Sequence, residues 1–218
     1  MELGLGLNQY PSVNGKTLLL DSYSGVEFVY SLARLISTYK GPCIRVRSGT
    51  SEVDINFKDN LLDTDSLLEF TGTQDGFLVG WYDQGKKARH AFQFTESLQP
   101  KIVSNGDFDS EGILFSADLM NLIVSWSLNN ETALLIRESA SSITTSNWFL
   151  KTSTGILNKD ITIGYSDANT LSATQFENTL NYDNPSTNFS LNIKRVWATT
   201  YTSSSKNIYL NGNLVASS

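Results

Sequence analysis

Hydrophobic and polar positions in this chain alternate more often than they recur at helical spacing. Ile44-Arg45-Val46-Arg47 and Val53-Asp54-Ile55-Asn56-Phe57 have period two and predict a hairpin turning at Ser48-Gly49-Thr50. Phe77 to Tyr82 predicts a strand that stops at a polar tip, Asp83-Gln84-Gly85, and a second strand restarts after Pro100 at Lys101-Ile102-Val103. Beyond residue 100 the pattern predicts strands at 112–115, 122–128, 132–136, 148–150, 161–165, 189–200 and 206–209. Asn129-Asn130 and Asn211-Gly212 are turn dipeptides of tight hairpins.

Helical signals are confined to the N-terminal half. Ser24-Gly25-Val26-Glu27 has capping-box spacing, Val26, Val29, Ala33 and Ile36 follow at helical intervals, and Gly41-Pro42 ends the run. Asp63-Thr64-Asp65 opens a second short helix, Ser66 to Phe70, stopped by Gly72. Short strands at regular spacing with two short helices predict a mainly β fold, a sandwich or jelly roll. Residues 1–17, with Leu3, Leu5 and Leu7 separated by glycines, read as an N-terminal arm or docking segment, and 18–218 as one β-sandwich domain. There is no internal repeat, and the serine-rich stretch Ser139 to Ser146 reads as a loop.

Composition narrows the function classes. A hydrophobic share of 40% over 218 residues is enough for a conventional core. A net charge of −6 argues against nucleic acid as a partner, because phosphate binding requires a positive stripe. The densest basic run, Lys86-Lys87-Ala88-Arg89-His90, reads as a solvated hairpin tip. Cys43 is the single cysteine, so no intrachain disulfide forms and the residue reads as a buried thiol. No apolar run is long enough for a transmembrane helix, which argues against membrane insertion, and the start has no basic segment of a signal peptide.

Several motifs in order resemble a known family. Leu19-Leu20-Asp21-Ser22-Tyr23-Ser24-Gly25, Tyr30-Ser31-Leu32-Ala33-Arg34-Leu35 and Gly41-Pro42-Cys43-Ile44-Arg45-Val46-Arg47 resemble the opening of an arabinofuranosidase-like domain that bacteriophages encode in virion structural proteins. Leu62-Asp63-Thr64, Asp75-Gly76-Phe77, Trp81-Tyr82-Asp83-Gln84, Ala88 to Gln93 and Gln99 to Val103 continue it, over about residues 18 to 105. Ile113 to Asp118 and Tyr209 to Val215 are similar to segments of a laminin-G-type, concanavalin-like jelly roll. The chain departs from the pattern at Gly85-Lys86-Lys87, where the family has Ser-Gly-Asn, and it stops at Ser218 without the closing strand.

The resemblance implies a concanavalin-like jelly-roll β-sandwich and a non-enzymatic virion component: a fibre, spike, tail or capsid-decorating protein. Such a protein would be made in the host cytoplasm and located in the virion. It would assemble as a homo-oligomer with other virion proteins and attach to a host surface glycan. An open sheet edge at the C-terminus would be completed by a neighbouring chain or by the arm Met1 to Leu7. The competing class is a glycan-binding or glycan-cleaving, glycoside hydrolase-like protein.

Candidate chemistry is sparse. Glu52-Val53-Asp54-Ile55-Asn56 places two carboxylates on one strand face but lacks the third carboxylate of concanavalin-like glucanases, and a solvated hairpin face explains it equally well. No catalytic residue is assigned. Asp83, placed by the resemblance, reads as a turn-former capping backbone amides near the aromatic pair. Trp81, Trp126 and Trp197 read as core, whereas Trp148 follows the serine-rich loop and is the candidate for exposure. Trp148 and Asp83 are therefore the glycan-binding candidates. Asp107, Asp109, Glu111 and Asp118 imitate the spacing of a calcium loop, with an acidic β-turn as the competing reading. No cofactor other than calcium is expected.

Overall fold

The computed structural model describes residues 17–109, 112–116, 119–122, 132–151, 161–175, 178–184, 189–202 and 204–218. Residues 1–16 of the arm, Glu111, Asp118, Trp126 and the Asn129-Asn130 turn lie outside them. Contacts divide the chain into two compact units, Met1–Ser125 and Trp126–Ser218.

The N-terminal unit is built on an antiparallel sheet. Its elements are β1 (Ile44–Ser48), β2 (Ser51–Ile55), β3 (Phe57–Lys58), β4 (Leu61–Leu62), α1 (Thr64–Thr71), β5 (Gly76–Trp81), β6 (Ala91–Phe92), a 3₁₀ turn (Glu96–Leu98), β7 (Lys101–Ser104), β8 (Asp107–Phe108) and β9 (Asn121–Leu122). The main path runs β2-β1-β5-β6-β9, with β7 pairing both β5 and β8. The expected hairpin is present, closing at Ser48↔Ser51. Its alternation sorts the faces: Ile44 and Val46 are fully buried, whereas Arg45 and Arg47 point outward. Each such buried aliphatic side chain contributes about 1.5–3 kcal/mol. The second predicted helix is α1: Asp63 caps it through Ser66 N–H, Gly72 ends it at φ 57°, and Leu67 is its buried anchor.

The first predicted helix is not formed. Residues 26–36 run as irregular extended chain, and their amide groups find tertiary partners instead of helical ones. Val29 N–H donates to Asp83 Oδ1 at 2.7 Å, Leu35 N–H to Gln84 Oε1 at 2.7 Å and Arg34 N–H to the Asn60 carbonyl at 2.7 Å. Gln84 Nε2 in turn donates to the Ala33 carbonyl at 2.9 Å. Val29, Leu32 and Ala33 are buried, so the apolar periodicity served core packing along an extended path. Glu27, expected to close a capping box, instead takes Lys87 Nζ at 2.7 Å and the Arg89 guanidinium. The basic run is therefore half docked rather than a solvated tip.

The C-terminal unit contains β10 (Thr132–Ser139), β11 (Asn147–Lys151), β12 (Ile161–Tyr165), β13 (Thr170–Gln175), β14 (Asn178–Asp183), β15 (Lys194–Tyr201), β16 (Lys206–Leu210) and β17 (Asn213–Ser217). They form two antiparallel sheets, β10-β15-β16-β17 and β11-β12-β13-β14. Tyr165, Leu171 and Ala173 of one sheet pack against Trp197, Tyr201 and Ile208 of the other, which makes this unit a sandwich. Glu138 Oε1 joins them, accepting from Tyr165 OH at 2.8 Å, Trp197 Nε1 at 3.2 Å and Arg195 Nη1 at 3.2 Å. The Asn211-Gly212 turn has φ of 50° and 84°, the left-handed pair its dipeptide predicts.

Strands β13 and β14 carry only a short apolar alternation, Leu171-x-Ala173 and Leu180-x-Tyr182, which faces the core. They are held by cross-strand polar pairs: Thr170 Oγ1 to Asp183 at 2.7 Å, Ser172 Oγ to Asn181 at 2.8 Å, and the Thr174 and Thr179 hydroxyls at 2.8 Å.

Candidate carbohydrate-binding face

Outward positions of β1, β2, β5 and β6 converge on one polar and aromatic surface. Arg45 and Asp54 are directly opposed across β1 and β2 and form a two-pronged ion pair, Nε–Oδ1 at 2.7 Å and Nη2–Oδ2 at 3.0 Å. Tyr82 OH donates to the same Asp54 Oδ1 at 2.8 Å. These bonds hold the Asp54 carboxyl below the usual carboxylate range, the Arg45 contact first and the Tyr82 contact after it, against the opposing effect of burial. Burial and the Asp54 bond push the Tyr82 phenol up to about 12. The trio is fixed in charge at neutral pH and partly open to solvent, with Arg45 and Asp54 side chains 40% and 37% exposed.

From Tyr82 an aromatic row crosses the sheet. Its ring centroid lies 5.0 Å from that of His90 and 6.0 Å from that of Phe92, both edge-on. Phe92 stacks on Phe94 at 5.6 Å with the planes 9° apart. The row forms because residues 90–94 alternate: Ala91 and Gln93 are buried, while His90, Phe92 and Phe94 face out. Gln93 is locked inward by bonds to the Leu119 carbonyl and the Thr95 amide. Gly80 makes room for it, since a Cβ there would lie 2.8 Å from the Phe92 ring. Phe94, at the end of the row, is 72% exposed.

Asp83 and His90 hold the row from below. Asp83 is fully buried, and its oxygens accept the amides of Val29 and Gly85 at 2.7 Å and Arg89 at 2.8 Å. Its own amide donates to His90 Nδ1 at 3.0 Å, which places the proton of the neutral imidazole on Nε2. Burial holds the His90 pKa below its ordinary value, outweighing the Asp83 charge.

Of the residues singled out from sequence, Asp54 and Glu52 belong to this face and Asp83 supports it from below, whereas the others fall elsewhere. Asp83 presents no accessible surface and works as a clamp, and Trp148, on β11, is half-buried. Asp107 and Asp109 are exposed at β8 and just after it; their expected co-ligands Glu111 and Asp118 lie outside the described residues. Among the described residues no group of three or more His, Cys, Asp or Glu side chains is placed to hold a metal ion. Glu52 and Asp54 do share the outer face of β2, both exposed. Cys43 is buried, with its thiol pKa raised by that burial. The sequence reading missed the row, although the alternation His90-x-Phe92-x-Phe94 is its signal.

No protein-family model matches the chain, and no curated protein matches it significantly. Solved structures do match in fold. One is a point mutant of a glycoside hydrolase family 54 α-L-arabinofuranosidase soaked with 4-nitrophenyl α-L-arabinofuranoside, at a TM-score of 0.59 and 13% identity over 83% of this chain. Another is a family 54 α-L-arabinofuranosidase soaked with a cyclic sulfate inhibitor, at 0.59 and 15% over 86%. A third is an arabinofuranosidase complexed with arabinofuranosyl-α-1,2-xylobiose, at 0.56 and 13% over 86%. The matches cover 47%, 49% and 49% of those chains, so this one spans about half their length.

The chain has the β-sandwich fold of these arabinofuranosidases. The matches also correct the expected function. The resemblance implied a non-enzymatic virion component, yet the proteins that share the fold are glycan-cleaving enzymes, and nothing ties the chain to a virion or a bacteriophage.

Proposed function

We propose that this chain is a glycan-acting, glycoside hydrolase-like protein whose sugar-binding surface is the outer face of the N-terminal sheet. The observation that carries the reading is the row Tyr82–His90–Phe92–Phe94, open at Phe94 and bounded by the Asp54–Arg45–Tyr82 trio. Sugars present an apolar C–H face and a rim of hydroxyls, and this surface offers aromatic rings beside a carboxylate and a guanidinium. The fold shared with arabinofuranosidases supports the same class, and makes arabinofuranosyl-bearing glycans the first substrates to try.

Asp54, anionic and oriented by two donors, suits two tasks. It accepts hydroxyl hydrogen bonds, and it stabilises positive charge developing at an anomeric carbon. Hydrolysis also needs a carboxyl group as proton donor, and Glu52 is the residue on the same strand face to test in that role. The experiment is a glycan array with a parallel hydrolysis screen on aryl arabinofuranosides and arabinoxylan, using wild type, Asp54→Asn and Glu52→Gln. Binding that Asp54→Asn weakens supports the reading, and product release abolished by either variant adds the catalytic assignment. Absence of both binding and product release overturns it.

A further inference from the structure

The same sheet face continues past Arg45 into a groove of about 710 Å³, with Arg47, Phe77, Glu96, Gln99, Lys101 and Leu114 in its wall. The register makes the two regions neighbours. Arg45 pairs with Gly80, under the Phe92 ring, and Arg47 pairs with Phe77 one outward position further along β1, about 7 Å at strand spacing. The volume lies within the range of about 300–1,000 Å³ typical of small-molecule sites.

The groove's polar groups are held in place. Arg47 lies over the Phe77 ring, 4.9 Å from its centroid, and Lys101 Nζ is 5.5 Å from the same centroid. Arg47 Nε donates to Gln99 Oε1 at 2.7 Å and Nη1 to the Gly49 carbonyl at 2.9 Å. Gln99, itself buried, is anchored through Nε2 to the Gln93 carbonyl at 2.9 Å, so the groove and the Phe92–Phe94 segment share a support. Each cation of the groove has an anionic partner: Lys101 pairs with Asp75, beside the groove, at 2.6 Å, and Arg47 faces Glu96 at 3.7 Å. A balanced set of donors and acceptors beside a ring rewards a neutral polyhydroxyl ligand and gives an anion no net attraction.

We propose that this groove is a second, contiguous subsite for a neutral glycan chain, so that the protein engages several consecutive sugar residues rather than one terminal sugar. The inference rests on the glycan reading of the adjacent face.

Titration calorimetry with neutral xylo-oligosaccharides of one, two, four and six residues tests it, on wild type, Ser97→Trp and Leu114→Trp. Ser97 and Leu114 line the groove and are exposed, so a bulky ring at either fills it without disturbing the core. Wild type is expected to gain about tenfold or more in affinity from two to six residues. Both variants are expected to lose that gain while keeping the disaccharide affinity. Wild-type affinity independent of length, a gain that survives both variants, or tighter binding of a uronate-bearing oligosaccharide of equal length overturns the subsite and leaves the face intact. No binding at any length overturns the subsite, while the face stands or falls with arabinofuranosyl-bearing glycans.

Discussion

Asp83 Oδ1 accepts the backbone amide of Val29 at 2.7 Å across 54 positions of sequence. With Gly85 and Arg89 on the same carboxylate, this one side chain ties the turn after β5 to the segment that precedes β1. Replacing it with alanine leaves three amides without their acceptor in a buried place. Asp83→Ala is expected to cost about 3–5 kcal/mol, with unsatisfied buried donors as the cause. Urea denaturation checks it; a loss within about 0.5 kcal/mol, the range of ordinary surface changes, would contradict the clamp.

His90 gives the clamp a pH dependence. Its folded pKa is lowered, so the unfolded chain binds a proton more readily. The stabilisation is complete above the ordinary imidazole value of about 6.5 and is lost as pH falls through the folded value. His90 is the only histidine, so a fall in stability between pH 7 and 5 is assigned to it. Denaturation midpoints across that window should drop for wild type and stay flatter for His90→Gln. Equal slopes would refute the assignment.

Phe94 is the opposite case, an exposed ring with little to lose on folding. Phe94→Ala is expected to leave the melting temperature unchanged within about 1–2 °C and to weaken glycan binding about tenfold, the equivalent of roughly 1.4 kcal/mol for one stacked ring. Thermal unfolding and calorimetry on the same preparation separate the two effects.

Among the described residues of the C-terminal unit, the tightest glycine is Gly164. A Cβ there would lie 2.3 Å from the Asn147 carbonyl oxygen and 2.6 Å from Trp148 Cα, both backbone atoms that cannot turn aside. Gly164→Ala is expected to cost about 1–3 kcal/mol or more by forcing β11 off β12. Loss of amide-exchange protection at 161–165 would locate the damage, and unchanged protection and stability would contradict it.

What the sequence revealed followed local physics. The β1–β2 hairpin was legible because Ile44, Val46 and Ile55 alternate with charges, and α1 because Asp63 and Gly72 cap it locally. Residues 26–36 misled because their caps, Asp83 and Gln84, sit about fifty residues away and satisfy the backbone in an extended path. Strands β13 and β14 were missed because their apolar alternation is only two residues long in each, Leu171 and Ala173, Leu180 and Tyr182, among Thr, Ser and Asn that pair across them. The aromatic row was masked by the basic residues before it, whose partner Glu27 is remote in sequence. Trp148 attracted attention as the largest ring near a loop, but its strand half-buries it.

The most direct measurement of the central claim is binding of arabinofuranosyl-substituted xylo-oligosaccharides to wild type, Phe94→Ala and Asp54→Asn by titration calorimetry. The account predicts saturable binding by wild type that both substitutions weaken while the fold stays intact. Binding left undiminished in both variants, or absent from wild type, would contradict it.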